Sequence, residues 1–142
     1  MKNRFLTLIV FVLFSCNSTK NTSNKNNMDL CTPLYSSNYN GKDIASNLVI
    51  QNQANLNILY ASLSIEEIPK IDFTKSQVVA LFLGQKNNGG YTISIDRVEE
   101  TSDKIIIYKK IEIPKPGEMV TMAITKPYII VKIKSKKNIV IE

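Results

Sequence analysis

Histidine is missing from this chain altogether. Its absence excludes Ser-His-Asp and Cys-His catalysis and removes the commonest zinc ligand and proton shuttle. Carboxylates are sparse, and their arrangement does not compensate. Glu66-Glu67 and Glu99-Glu100 are adjacent pairs, and neighbours in extended chain point to opposite sides, so neither pair forms an acid/base dyad. No calcium loop of the D-x-D-x-D-G kind occurs, and no motif singles out a lysine nucleophile. Tryptophan is absent too. Tyr35, Tyr39 and Tyr91 could stack on a ligand, but no aromatic cluster stands out. Arginine is confined to Arg4 and Arg97, so the formal net charge of +6 is carried by lysine. Lysine is a hydrated point charge and reads phosphate or base edges poorly. The sequence therefore predicts no catalytic residues, no metal, no cofactor and no nucleic-acid partner; it does not read as an enzyme.

What is present begins at the amino terminus. Lys2 and Arg4 precede an apolar stretch, Phe5 to Phe14, broken only by Thr7. A basic start, a short apolar core and a small residue before the cut form a secretory signal peptide. The stretch is shorter than the roughly 20 residues needed to span a bilayer. Leu13-Phe14-Ser15-Cys16 resembles a bacterial lipobox, with Phe14 in place of a smaller residue. The pattern predicts removal of residues 1–15 and lipid attachment to Cys16; the alternative is an ordinary signal peptide whose cleavage site contains a cysteine.

Residues 17–27 contain no apolar side chain and read as a disordered tether, roughly 20 Å in reach, behind a lipidated Cys16. Without an acidic cluster there, the expected location is the cell envelope, on a periplasm-facing outer membrane. Cys31 then has no intrachain partner. It is a buried small hydrophobe, a free thiol or an intermolecular bridge, with burial the expectation. Residues 28–142 are the size of one domain, which needs no metal or disulfide staple.

Along this domain, Leu48-Val49-Ile50 suggests a short strand. Asn52 is a helix N-cap, and Leu56, Leu59, Tyr60 and Leu63 form the apolar stripe of a helix over about 53–63. Val78 to Leu83 is continuously apolar, as in a central strand. Residues 85–90 read as a turn, Tyr91 to Ile95 as an alternating strand, and 99–103 as a polar turn. Lys104 to Ile113 is strand-like, with Ile105, Ile107, Ile111 and Ile113 on one parity. Pro114-Lys115-Pro116-Gly117 ends it. Met119 to Thr125, Tyr128 to Lys134 and Asn138 to Ile141 complete the strands. The expected fold is α+β and β-dominated: a mostly antiparallel sheet of five to seven strands with one packed amphipathic helix.

Two segments stand out. Gly89 and Gly90, followed by Tyr91, could approach a ligand closely or expose N–H groups to an anion; a hairpin turn with positive φ is the plainer expectation. Pro127 and Tyr128 follow Thr125-Lys126, where a bulge or kink would enter a strand and Tyr128 would pack its ring. Gly89, Gly90, Tyr91, Pro127 and Tyr128 are thus the candidate interaction or turn residues.

These segments fall in a series: Ile71-Asp72-Phe73, Val78 to Gly84, Gly89 to Ile93, Pro114 to Gly117 and Thr125 to Tyr128. Their order and spacing resemble the C-terminal domain of the protease complex subunit PrcB family, over about 69–134. Asn88 departs from the Thr or Ser that precedes Gly-Gly-Tyr in many members, a change a turn tolerates. The resemblance implies an exported, non-catalytic accessory subunit of a surface protease complex. The expected function is that of a membrane-anchored lipoprotein acting as a binding or accessory subunit of a cell-envelope protein complex, with a protease as a candidate partner. The alternative is a small-molecule or glycan-binding envelope lipoprotein.

Overall fold

The computed structural model describes residues 28–142. The signal-like segment, Cys16 and the tether lie outside the described residues. A 3-10 turn, Met28–Leu30, leads into β1 (Cys31–Ser37), β2 (Ser46–Ile50) and helix α1 (Gln53–Ser62). Then come β3 (Gln77–Phe82), β4 (Thr92–Glu100), β5 (Lys104–Glu112), β6 (Tyr128–Ile133) and β7 (Asn138–Ile141). The strands form two sheets, not one: a four-stranded sheet in the order β1-β6-β3-β2 and a three-stranded sheet in the order β4-β5-β7. All pairings are antiparallel except β5 with β7, which is parallel.

The layering follows from strand periodicity. Val79 and Leu81 of β3 with Ile129, Val131 and Ile133 of β6 pack on Ile93, Val98, Ile105 and Ile107 of the three-stranded sheet. The opposite parity, Val78, Ala80 and Phe82 with Tyr128 and Ile130, packs on Leu56, Leu59, Tyr60 and Leu63. The four-stranded sheet is therefore the middle layer between a helix and a second sheet. That position explains why all six residues of β3 are buried and why the sequence there is a continuous apolar run instead of an alternation. Cys31 is a free thiol buried between the sheets, as expected of it.

Helix α1 has 10 residues, too few to be stable alone. Asn52 caps it, its side-chain oxygen accepting from the Asn55 N–H at 2.8 Å. Such a cap contributes about 1 kcal/mol, whereas each fully buried leucine contributes about 1.5–3 kcal/mol. Packing on the sheet, more than the cap, holds the helix. It ends with Ser64 at φ +56° and with the Ile65 N–H donating back to Tyr60 O at 3.0 Å.

Three expectations change. Residues 83–91 do not close a hairpin, because β3 and β4 lie in different sheets; the segment crosses from one layer to the other. Met119 to Thr125 is not a strand: only Thr125 pairs, in an isolated bridge to Lys86. Finally, β1 forms where no strand was expected, despite Pro33, because it pairs along the edge of β6 with a register shift between Pro33 and Tyr35. Of the four one-parity isoleucines, Ile105 and Ile107 in the first half of β5 are buried, while Ile111 near its end and Ile113 just past it are exposed. No helix among the described residues is long and apolar enough to cross a membrane.

Candidate interaction surface

β1 and β3 finish, and β2 and β6 begin, at the same end of the middle sheet. Loops 38–45, 83–91 and 113–127 therefore meet there. Their backbones are joined directly. Lys86 and Thr125 exchange N–H to C=O bonds of 2.8 and 3.0 Å, and the Gly89 N–H donates to Thr121 O at 2.8 Å. Thr125 is buried, and its hydroxyl donates to Asn88 O at 2.8 Å. Gln85 N–H donates to Asp43 O, and Lys126 N–H to Asn38 O. Lys126 Nζ also pairs with Asp43 at 2.6 Å. This bonding explains how an irregular segment holds one shape.

The five candidate residues come together here, and their places differ. Gly90 has φ +84°, and a Cβ on it would lie 2.8 Å from Val120 Cγ1 and 3.1 Å from Pro114. Gly89 is buried against Thr121, where a side chain would collide with the threonine hydroxyl. Tyr91 is half-buried against the inter-sheet core, with Lys86 Nζ 5.5 Å from its ring centroid. Pro127 starts the run into β6; its carbonyl accepts from the Leu83 N–H at 2.9 Å, and, having no N–H, it cannot return the second bond of that pair, so the ladder ends there. Tyr128 is buried, its ring stacked between Tyr35 at 6.0 Å and Phe82 at 5.6 Å. Burial and the nearby Tyr35 and Tyr60 push its phenol up to about 12. No bulge enters β6 there; the irregularity lies in β1. The tyrosines that could have stacked on a ligand do not converge. Tyr35 lies with Tyr128 towards the helix layer and Tyr91 towards the three-stranded sheet.

These residues thus build the loops. What the loops display is apolar. In loop 113–127, Met119 is 99% and Met122 89% exposed, and Ile113 and Ile124 are also largely in solvent. Sequence reasoning missed the two methionines as surface groups because they were assigned to a strand. The signal was the Pro-Lys-Pro-Gly segment before them, which starts a long excursion. Beside them, Gly90, Glu112, Ile113, Lys115 and Glu118 line an open concavity of about 380 Å³. Its carboxylates are already engaged: Glu112 pairs with Lys110 at 2.8 Å, and Glu118 accepts from the Lys115 N–H at 2.8 Å. The hydrogen bond and charge of Lys110 hold the Glu112 carboxyl below its usual range. Glu99 and Glu100 also diverge, to Arg97 at 3.0 Å and to Lys137 at 2.8 Å. No cluster of three metal-ligating side chains occurs among the described residues.

No curated protein and no solved structure matches the chain. A family model described as PrcB C-terminal does match, over residues 77–134. The match starts at the first residue of β3 and ends just beyond β6, so Ile71-Asp72-Phe73 falls outside it. The matched stretch takes in the central strands of the middle sheet, two strands of the second sheet and the displayed loop 113–127, and over that part the chain is similar to the PrcB C-terminal family.

Proposed function

We propose that this protein is a non-catalytic, lipid-anchored accessory subunit of a cell-envelope protein complex, most specifically a protease complex. The observation that carries the reading is the match to the PrcB C-terminal family over residues 77–134, with Met119 and Met122 held almost wholly in solvent on a braced loop. Methionine is flexible and polarisable, and it suits an adaptable docking surface. A partner that covered both side chains would gain roughly 3–6 kcal/mol before the costs of association. The lipobox-like Cys16 and the apolar-free tether support anchoring of the domain at the membrane surface. The periplasmic face of the outer membrane is the location that fits a tether without an acidic cluster.

The test is crosslinking of the native lipoprotein in cells, followed by purification and mass spectrometry. We expect recovery of an envelope protein, a protease foremost. The double variant Met119→Ser with Met122→Ser keeps the melting temperature and lowers that recovery tenfold or more, roughly the affinity lost with two buried methionines. Cys16→Ser moves the protein from the membrane to the soluble fraction. A clean monomer with no reproducible partner, or unchanged recovery with the double variant, counts against the reading.

A further inference from the structure

Among the described residues, four strands lie at sheet edges: β1 and β2 in one sheet, β4 and β7 in the other. An unguarded edge offers unpaired N–H and C=O groups to any extended chain, so edges are ordinarily blunted by proline, bulges, charge or shortness. Three of these edges follow that rule. β1 carries Pro33 and a register shift. β4 carries a register shift and the charged run Asp96, Arg97, Glu99 and Glu100. β7 has four residues and is bracketed by Lys136, Lys137 and Glu142. β2 has none of these devices. Ser46-Asn47-Leu48-Val49-Ile50 contains no proline and no charge, and its register with β3 runs without a break.

The hydrogen-bond register shows which groups are open. Leu83 N–H donates to Pro127 O across β3 and β6, so the odd residues of β3 aim their backbone at β6 and the even ones at β2. Ser46, Leu48 and Ile50, opposite Phe82, Ala80 and Val78, take those bonds. Asn47 and Val49 therefore turn both N–H and C=O outward. Grooves flank this edge on both sides of the sheet. On the helix side, Leu48, Ile50, Ile58 and Leu59 line about 470 Å³. On the other side, Leu83, Ile93 and Ile111 line about 180 Å³. An added strand sends alternate side chains to opposite faces, and here each face meets an apolar recess. Lys42 lines the first groove and Lys109 the second; no carboxylate lines either, and neither lysine is in an ion pair among the described residues. The buried Ser46 hydroxyl has no hydrogen-bond partner among the described residues.

We propose that the free edge of β2 receives an extended peptide segment of a partner protein as an added strand, apolar at alternate residues and acidic at its flanks. Main-chain bonds to Asn47 and Val49 supply register and the two grooves supply side-chain preference, while Lys42 and Lys109 meet the flanking carboxylates. The proposal rests on the reading of the chain as a binding subunit and gives the chemistry of one partner segment; it uses a surface separate from Met119 and Met122.

The experiment titrates the full chain, in detergent, with a capped peptide that alternates valine and threonine and ends in glutamate on both sides. Amide resonances of Asn47 and Val49 shift on binding, and fluorescence anisotropy gives the affinity. Methylating the peptide nitrogens that face β2 abolishes binding. Replacing the terminal glutamates with lysine weakens it, and Lys42→Glu with Lys109→Glu reverses that preference. Val49→Pro removes an outward N–H, and an edge strand tolerates proline at such a position. Ile58→Lys fills the helix-side groove from a solvent-exposed helix position and carries the test if Val49→Pro misfolds. Each weakens binding about tenfold or more. Unshifted Asn47 and Val49 amides at millimolar peptide, or full affinity in folded Ile58→Lys, overturns the proposal. So does a dimer abolished by Val49→Pro, which would assign the edge to a second copy. Met119→Ser with Met122→Ser leaves the peptide affinity unchanged. Peptide binding without any recovered envelope complex therefore removes the accessory-subunit reading and leaves the edge site standing.

Discussion

Gly90 occupies a position where backbone conformation and space agree. Its φ of +84° is costly for any residue with a Cβ, and Val120 and Pro114 stand where that Cβ would go. Gly90→Ala is expected to destabilise the domain by about 1–3 kcal/mol, read as a lower denaturant midpoint with an unchanged slope. An unchanged midpoint would show that loop 113–127 moves aside freely. The demand for positive φ was legible from Gly89-Gly90, but which of the two glycines meets it was not, since that depends on loop 113–127 lying against it. Tyr128 repeats the lesson. Its packing role could be read from Pro127-Tyr128 at the start of an apolar run. Its stacking partner Tyr35 could not, because β1 reaches it only across the sheet.

Elements with strong internal periodicity were readable, and those made by pairing were not. Helix α1 was legible to within a residue or two, since its stripe and its Asn52 cap are local features. β3 was legible because burial on both faces leaves a continuous apolar run. β1 was missed because Pro33, Ser36 and Ser37 spoil the pattern, and β6 supplies the order instead. Met119 to Thr125 failed in the opposite sense: its composition suits a strand, but only Thr125 forms a β-bridge. A connection between sheets carries the same turn residues as a hairpin, so the sequence of 83–91 could not say which it was. The end of α1 offers a stabilising test. Ser64 holds φ +56° where helices ordinarily place glycine, while Ile65 N–H closes back on Tyr60 O. Ser64→Gly should raise stability by about 1 kcal/mol, seen as a melting temperature several degrees higher; a lower value would mean that the serine side chain contributes more than its strain costs.

At the scale of the whole fold, the described residues form two apolar layers, one on each side of the middle sheet, and each contains ionisable side chains that burial keeps protonated. Between the sheets it is the Cys31 thiol, pushed above its ordinary value of 9.0 by desolvation. Between sheet and helix it is Tyr60, raised by desolvation and then by Tyr35, and Tyr128, raised to about 12 from 10.0. In every case the unfolded chain releases its proton at a lower pH than the folded one. The stabilisation from these groups is therefore whole below the unfolded values and is lost as pH rises through the folded ones. Urea unfolding followed at successive pH values should give a plateau up to about 9, then a decline that steepens above 10.0 as the phenols ionise in the unfolded chain. The exposed pair of Lys110 and Glu112 adds little, because water screens it. Cys31→Ala should remove the first part of the decline, and Tyr60→Phe part of the second. Because β3 and β6 contribute to both layers, loss in either should appear as one cooperative transition. Two separate transitions, or a decline that survives both substitutions, would show that the layers melt independently or that other groups govern the alkaline limit.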